Sequence, residues 1–453
     1  MKDVEASAAD SSRAPAGNPG LAVYYALVVT QVVSLIGSQV SQYAVGIAVY
    51  RATGHATPIA LIAFFSTVPA IVLGGLGGAI ADRFDRRGMM LIANLGYVVV
   101  SGLLLLSFAS GAFQLWHLYV LTVGGAVFAA LERPAFLASV AMLVPDSRRD
   151  RANAIGQMTG PAAGAIAPAL AGILFAVVGV VGSIAIAIVT FVAAVSVLAI
   201  VRVPRPAETA EGLMMRTSVW RQAFDGFRYL AARPTVLGLC AYSSAANFLA
   251  NTALVLLTPY VLARTGSAQM FGVVLGIMNV GGISGSLALS AGGRIGSRVN
   301  TAMLASAVAG VCVCAAGAAR NAPAIGASLF MMSFALAFAS APFFSILQAK
   351  VAPDVQGRVF AAFFQVAMLM TPLAALISGP LADRIFEPGR RQPAWQSVGW
   401  LVGSGPGAGM GLMFVVAGVL VLALSLAVYA IPAVRQLETD LPDYAPATAQ
   451  KIA

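Results

Sequence analysis

One carboxylic acid lies deep inside an apolar segment of the chain. Of the seventeen Asp and Glu residues, Glu132 is the one well within a run long enough to cross a bilayer, residues 115–143. In a helix of that length, Glu132 lies about 5 Å from the membrane midplane. Burial there disfavours the ionised carboxylate, so Glu132 is a candidate for exchanging protons between the two sides. The alternative is a structural ion pair that locks two helices together.

Arg133 is the one basic residue inside an apolar run. Because neighbouring residues of a helix point about 100° apart, Arg133 does not pair face to face with Glu132. It can instead hold a neighbouring helix through backbone carbonyls, or face a cavity as a substrate contact for an anionic group. Both roles stay open from the sequence.

Polar side chains form stripes on two of the apolar segments. Ser38 and Gln42 lie four residues apart in the first segment, and Asn247 and Asn251 lie four residues apart in the seventh. This spacing places each pair on one face of a helix, and amides are unfavourable against lipid, so both faces are predicted to turn inward. They form either the wall of a substrate cavity, which we favour, or hydrogen-bonded packing between helices.

Aromatic and amide residues in two later segments extend this predicted cavity. Phe344 lies in the tenth apolar segment and Gln365 in the eleventh. Such side chains suit a bulky amphipathic substrate, although they also serve as ordinary packing. Phe344 and Gln365 are therefore candidate substrate contacts.

The sequence argues against several other kinds of chemistry. None of the three lysines follows a glycine, so the phosphate-binding loop of ATP-driven pumps is missing. The two histidines, His55 and His117, and the three cysteines do not have the spacing of a metal site. The apolar segments hold no cluster of nucleophile, base and acid. We therefore predict a protein that is not an enzyme, needs no cofactor and holds no metal.

The composition predicts the scaffold that must carry these residues. The chain has 453 residues, of which 59% are hydrophobic and 10% charged, with a mean hydropathy of +0.87. A soluble domain carries roughly 25% charged residues. Twelve apolar runs of about 20 residues predict an all-α membrane protein with twelve transmembrane helices. The division between the fifth and sixth runs depends on residues 179–182 alone, which include two glycines.

The basic residues predict the orientation in the membrane. With the amino terminus in the cytoplasm, twenty Lys and Arg residues lie in cytoplasmic segments and six in the outer loops. Positively charged loops tend to stay on the cytoplasmic side. Both termini are therefore predicted to be cytoplasmic, and the net charge of +10 reflects membrane topology and not a nucleic-acid partner.

A charged central segment divides the chain into two sets of six apolar runs. The predicted parts are a disordered cytoplasmic tail (1–20), an N-terminal six-helix bundle (21–203), a cytoplasmic linker (204–234), a C-terminal six-helix bundle (235–432) and a cytoplasmic tail (433–453). Weak similarity between the loops of the two halves predicts that the bundles are pseudo-symmetric. This organisation is typical of transporters built from repeats.

The loop after the second apolar run has a spacing with a physical role. Gly78 lets the end of that helix approach a neighbour closely, and Asp82 can cap a helix amino terminus. Arg83 and Arg86 can pair with Asp146 at the inner end of the fourth run. We interpret these residues as a latch that forms while the cytoplasmic side is closed. The alternative is a positively charged loop with no further role.

The same loop carries a family resemblance. Its pattern, G-x-x-x-D-R-x-x-R-R over residues 78–87, resembles the signature loop of the major facilitator superfamily. Residues 348–360 and 379–383 look like the macrolide-efflux-like branch of its drug:proton antiporters, which also contains siderophore exporters. Ser38 departs from the branch, because many relatives carry an acid there.

The resemblance implies both a fold and an activity. It implies a secondary active exporter of the bacterial inner membrane, whose two bundles rock around a central cavity and exchange a drug, macrolide or siderophore-like molecule for protons. If protons drive transport, Glu132 carries them, since Ser38 cannot. The implied partners are a small-molecule substrate, protons and the lipid bilayer, with the chain acting as a monomer. The rival is an uncoupled facilitator or lipid flippase of the same fold.

Overall fold

The computed structural model describes residues 19–81, 85–144, 149–201, 228, 234–291, 297–350 and 353–435, and these residues are helical apart from short turns. The long helices are α1 (Pro19–Thr53), α2 (Thr57–Ala81), α3 (Arg86–Ala109), α4 (Leu115–Leu143), α5 (Arg149–Ile200), α6 (Pro234–Val255), α7 (Leu257–Thr265), α8 (Ala268–Ala291), α9 (Arg298–Ala318), α10 (Ala322–Lys350), α11 (Pro353–Leu381) and α12 (Ala408–Ala430). Shorter helical pieces cover Ala382–Phe386, Glu387–Gly389, Pro393–Trp395, Gln396–Val402 and Pro432–Arg435.

The fifth and sixth transmembrane segments share the continuous assignment of α5. Its 52 residues would make a helix about 78 Å long, more than twice the hydrocarbon thickness of about 30 Å. Gly179 interrupts it with φ 68° and ψ −169°, a conformation that residues with a side chain rarely adopt. The predicted division at this glycine is confirmed.

The described residues contain ten helices long and apolar enough to cross a bilayer, and α2 supplies a shorter apolar one over Thr57–Leu73. Division of α5 at Gly179 raises the number of segments to twelve, while α6 and α7 together form the seventh. The expectation of an all-α protein with twelve membrane-crossing helices is confirmed.

The helices form two bundles. In the N-terminal half, α1 packs along α5, α2 packs on α4, and α3 packs on both α4 and α5. In the C-terminal half, α8 and α9 pack on α10, α9 also packs on α12, and α11 packs on α6. These contacts confirm the predicted pair of six-helix bundles.

The two halves meet through α5 with α8 and through α2 with α11. Glycines allow the closest approach: a Cβ added to Gly272 would lie 2.5 Å from the carbonyl oxygen of Pro168. A Cβ added to Gly172 would lie 2.7 Å from the carbonyl oxygen of Ala268. Side chains at these two positions would therefore force α5 and α8 apart.

One end of the molecule is sealed. We call it the outer face, following the orientation predicted from the basic residues; it carries the turns after α1 and α3 and the segment between α11 and α12. The largest buried apolar cluster lies near this face around α7, and it includes Ile47 and Ala56 from the N-terminal half. Tyr260 is fully buried there and donates to the carbonyl oxygen of Ala316 at 2.7 Å. The described structure is thus closed on its outer side.

Several predicted features fall outside the described residues. Asp82, Arg83 and Asp146 are among them, whereas Gly78 lies in α2 and Arg86 begins α3. The predicted linker (204–234) and the two tails (1–20 and 433–453) also lie almost entirely outside. The inner latch and these boundaries stay predictions.

Candidate functional site

Glu132 is buried at the meeting point of three helices of the N-terminal half. Its Oε1 accepts a hydrogen bond from Asn94 Nδ2 of α3 at 3.0 Å. The side chains of Tyr97, from α3, and Gln31, from α1, also hydrogen-bond to the carboxylate. An acid inside a membrane protein is expected to have such partners, because unpaired polar groups are costly there.

Packing within the bundle fixes the donors around the carboxylate. Asn94 Nδ2 also donates to the carbonyl oxygen of Met90 at 2.9 Å, which sets the direction of its amide. The ring of Tyr97 stacks on Phe191 with centroids 5.1 Å apart. One residue before Tyr97, a Cβ added to Gly96 would lie 2.5 Å from ring carbons of Phe128, so α3 and α4 pack closely at this level.

A small cavity of about 10 Å³ adjoins the carboxylate, with Ser34, Asn94 and Glu132 among its lining residues. Within the described part of the chain, Ser34 Oγ and Asn94 Oδ1 are buried without a hydrogen-bond partner. A cavity of this size has room for roughly one water molecule. The site therefore offers unused acceptor atoms beside an acid.

The described partners of Glu132 are neutral amide and phenol groups. The backbone of Arg133 continues α4, but its side chain is not among the described ones. The hypothesis of an ion pair to Glu132 thus gains no support from the described side chains, and the role of Arg133 stays a prediction.

The polar stripe of α1 faces the space between the two halves. Ser38 and Gln42 are both exposed, and Gly46 follows one turn further along the same face. A Cβ added to Gly46 would lie 3.9 Å from Thr258 Cγ2 of α7, in the other half. Ser38 and Gln42 therefore lie on the inner side of the outer seal, where a central pathway would run.

The corresponding stripe on α6 borders a larger cavity of about 530 Å³ in the C-terminal half. Asn247 and Asn251 line it, and Asn251 Nδ2 donates to Asn247 Oδ1 at 2.6 Å and to the Asn247 carbonyl oxygen at 2.8 Å. Cavities that bind drug-sized ligands have volumes of about 300–1,000 Å³. The structure therefore brings both predicted amides to a cavity of suitable size.

The walls of this cavity are mainly apolar and aromatic. Besides the two amides, its lining includes Ser243, Met332, Ser340, Phe343, Phe363, Phe364, Met368 and Thr371. Phe363 contacts Phe343 with ring centroids 5.4 Å apart and Phe364 with centroids 5.5 Å apart. Gln365 is exposed on α11 and is not among the lining residues, and the side chain of Phe344 is not described.

Sequence reasoning missed some of these residues. Asn94 and Tyr97 were not singled out, although an amide and a phenol inside an apolar run are signals that they bond to a neighbouring helix. Phe363 and Phe364 were also missed, because aromatic residues of the cavity wall look like ordinary packing residues in a sequence.

A comparison with protein-family models identifies the fold family. Residues 27–375 match the model described as Major Facilitator Superfamily. The chain belongs to the Major Facilitator Superfamily. Members of this superfamily are transporters and not enzymes, so the chain is a multi-pass membrane transporter of small molecules.

Curated relatives within the superfamily include two kinds of exporter. The chain is similar to macrolide efflux protein A of Streptococcus pyogenes, with 24% identity over 377 residues that cover 80% of this chain and 90% of that protein. It is also similar to the enterobactin exporter EntS of Shigella flexneri, with 29% identity over 175 residues, 38% of this chain and 40% of that one.

Solved structures of other transporters have the same fold. A bacterial homologue of the human lysosomal transporter Spinster, in an inward-facing and unoccupied conformation, superposes with a TM-score of 0.71 at 15% identity, covering 96% of this chain and 100% of the other. The nucleoside transporter NupG gives a TM-score of 0.71 at 11% identity, covering 89% and 99%. At these identities the likeness concerns the fold alone.

Proposed function

We propose that this transporter is a secondary active exporter of bulky amphipathic small molecules, driven by protons that bind Glu132 as the two bundles alternate. The observation that carries the proposal is the buried carboxylate of Glu132, held by neutral donors beside a small cavity with unused acceptor atoms. Such a group can gain and lose a proton inside the membrane.

The surroundings of Glu132 suit both of its protonation states. When ionised, the carboxylate accepts hydrogen bonds from Asn94, Tyr97 and Gln31. When protonated, it becomes a donor and needs an acceptor. Ser34 Oγ and Asn94 Oδ1 line the same cavity, and each has no partner among the described atoms. A proton can therefore be taken up without leaving a buried donor unsatisfied.

The cavity of the C-terminal half supports the choice of substrate class. Its phenylalanine and methionine side chains give apolar contacts, while the amides of Asn247 and Asn251 offer a few polar ones. Pockets of this composition bind amphipathic molecules of drug size. The curated relatives that export macrolides or enterobactin support the same class and support export as the direction.

The remaining parts of the proposal concern the membrane and the inner side. We place the protein in the bacterial inner membrane as a monomer with both termini in the cytoplasm. Gly78, Asp82, Arg83, Arg86 and Asp146 form the latch that closes the cytoplasmic side. Gln42, Ser38 and Arg133 of the N-terminal half, with Phe344 and Gln365 of the C-terminal half, add substrate contacts.

Transport into inverted membrane vesicles tests the proposal. Vesicles would be energised by a pH gradient and given fluorescent dyes, macrolides and siderophores in turn. Glu132→Gln cannot release a proton, so it should abolish accumulation against a gradient while leaving exchange between substrate pools largely intact. Glu387→Gln is the matched control. Gln at the outer face can still accept the hydrogen bond that Met410 N donates to Glu387 at 3.1 Å, and the change removes only the charge paired with Arg390 at 3.4 Å.

Three outcomes would contradict the proposal. A folded Glu132→Gln variant that still accumulates substrate would remove Glu132 from coupling. A wild-type protein that equilibrates substrate or lipid but never concentrates it would favour an uncoupled facilitator or flippase. Poor expression or a lowered melting temperature of Glu132→Gln, with exchange also lost, would instead indicate a structural role.

A further inference from the structure

An acid of the C-terminal half caps a helix of the N-terminal half at the outer face. Asp383 lies just after α11, in the helical piece Ala382–Phe386. Its Oδ1 accepts the N–H of Ala56 at 2.8 Å, and its Oδ2 accepts the N–H of Thr57 at 2.7 Å and the hydroxyl of Thr57 at 2.6 Å. One carboxylate thus receives three hydrogen bonds from the start of α2, 326 residues away in the chain.

The amino terminus of α2 depends on this carboxylate because its own sequence lacks a cap. Ala56 precedes the helix, and its carbonyl oxygen accepts the N–H of Ala60 at 3.0 Å, which places it at the capping position. Most helices have Ser, Thr, Asp or Asn at this position, whose side chain accepts the free N–H groups. Alanine cannot do so, and Asp383 of the other half takes its place.

The contact is close and partly shielded from water. A Cβ added to Gly379, one turn before Asp383, would lie 2.8 Å from Thr57 Cα and 2.7 Å from Ala60 Cβ, so the two helices meet with no side chain between them. The side chain of Asp383 is 13% exposed. Hydrogen bonds to an ionised acceptor at a helix amino terminus are strong, and shielding from solvent preserves them.

The sequence around Asp383 has a similar counterpart elsewhere in the chain, with four of six residues identical. Residues 379–384 read Gly-Pro-Leu-Ala-Asp-Arg, and residues 78–83 read Gly-Ala-Ile-Ala-Asp-Arg. Residues 379–381 form the outer end of α11, and residues 78–81 form the inner end of α2. Because α2 and α11 pack against each other across the halves, these described residues lie at opposite ends of one helix pair.

We propose that Asp383 is the latch of the outer gate: it stabilises the outer-closed state by capping α2, and its hydrogen bonds break each time the outer side opens. The latch joins the two halves directly, so separation of α2 from α11 at this end leaves both the carboxylate and the helix terminus unpartnered. The proposal goes beyond the proposed function, since it requires neither a particular substrate nor proton coupling.

Distances across the outer face test the latch without substrate or gradient. In a background with the three free cysteines replaced by serine, spin labels would be placed at Ala112 and Gln396, two exposed outer positions in opposite halves. Asp383→Asn removes the charge and turns one acceptor into a donor, so we expect the long-distance, outer-open population to rise about tenfold. Thr57→Val removes only the hydroxyl bond, and about a threefold rise is expected.

Asn321 provides the matched control. It caps α10 of its own half, where its Oδ1 accepts the N–H of Ala324 at 2.9 Å, so Asn321→Ala removes a helix cap without touching the contact between the halves. This variant should leave the distances unchanged. A second readout is the labelling of Gln42→Cys, below the seal, by a membrane-impermeant thiol reagent, which should speed up with Asp383→Asn.

The latch would be disproved if Asp383→Asn and Thr57→Val gave the distance distribution of Asn321→Ala. If Asp383→Asn does not fold, Thr57→Val alone decides between the outcomes. Because these measurements need no transport, a negative result here leaves proton coupling through Glu132 untouched, and failure of proton coupling leaves the latch untouched.

Discussion

The polar residues on the first helix of each half have very different surroundings. In the N-terminal half, Gln31 and Ser34 of α1 border a compact site in which Glu132 is surrounded by donors and only about 10 Å³ is left. In the C-terminal half, the matching stripe of α6 opens onto about 530 Å³ lined by aromatic and sulfur-containing side chains. Equivalent first helices of two similar bundles thus border very different spaces.

This difference suggests that proton binding and substrate binding use different parts of the molecule. A carboxylate that changes charge needs a small, well-organised environment, because each unsatisfied group near it is costly. A bulky molecule needs volume and apolar contacts. If the proton binds at Glu132 and the substrate lies mainly in the larger cavity, with Ser38 and Gln42 at its edge, the two need not touch each other. They then influence each other through the equilibrium between the two arrangements of the bundles.

The largest loss outside Glu132 itself is expected from Asn94→Leu. This change removes the donor 3.0 Å from Glu132 Oε1. Loss of a hydrogen bond to a charged group should lower gradient-driven transport by about ten- to a hundredfold at neutral pH. The pH dependence of the remaining activity should also change, because the carboxylate has lost a hydrogen-bond donor. The check is the initial transport rate in proteoliposomes as a function of pH.

Asn279→Leu is the control for Asn94→Leu. Asn279 of α8 also donates to the carbonyl oxygen four residues earlier, at 2.8 Å, but lies in the other half. The Asn279→Leu variant should have the same pH profile as the wild type. Equal changes of the pH profile in both variants would contradict the assignment of the proton site to the N-terminal half.

Phe364→Ala should have the next largest effect, in the C-terminal cavity. Truncation of an aromatic contact is expected to raise the KM of a bulky aromatic substrate about tenfold. The number of protons exchanged per substrate should stay the same, since no atom near Glu132 changes. Substrate titrations with simultaneous pH recording give both quantities. A changed number of protons exchanged per substrate, with an unchanged KM, would contradict the separation of the proton site from the substrate cavity.

A smaller effect is expected from the two polar stripes. Asn247→Ala and Gln42→Ala should each change the preference between two substrates about threefold, as for one neutral hydrogen bond. Expression and melting temperature should change less than this preference does. If both variants are silent for every substrate tested, the stripes are packing faces and not cavity walls.

The smallest effect is expected from matched serines. Ser34→Ala removes an acceptor near Glu132, so it should slow proton-driven transport about twofold without changing the KM. Ser340→Ala, in the C-terminal cavity, should alter the KM for polar substrates by about the same factor and leave the pH profile unchanged. Reversed results would assign the proton and the substrate to the opposite halves.

Much of the fold could be predicted from the sequence, because the bilayer limits what an apolar run of about 20 residues can do. Glu132 stood out for the same reason. Two of its partners did not, since Asn94 and Tyr97 belong to a helix whose rotation about its own axis is set by packing. The capping of Thr57 by Asp383 was also beyond sequence reasoning, because it depends on how the two halves meet.

Gly179 has a consequence for how the chain enters the membrane. Residues 158–200 leave the ribosome as one apolar stretch, with no polar loop to signal that the chain must turn back. The turn rests on one backbone conformation, φ 68° at this glycine. A chain that failed to turn there would cross the bilayer once instead of twice. Every later segment would then be inverted, and the positively charged loops of the C-terminal half would have to be moved to the side opposite to the one predicted from the basic residues. The turn at Gly179 thus determines on which side of the membrane every later loop lies.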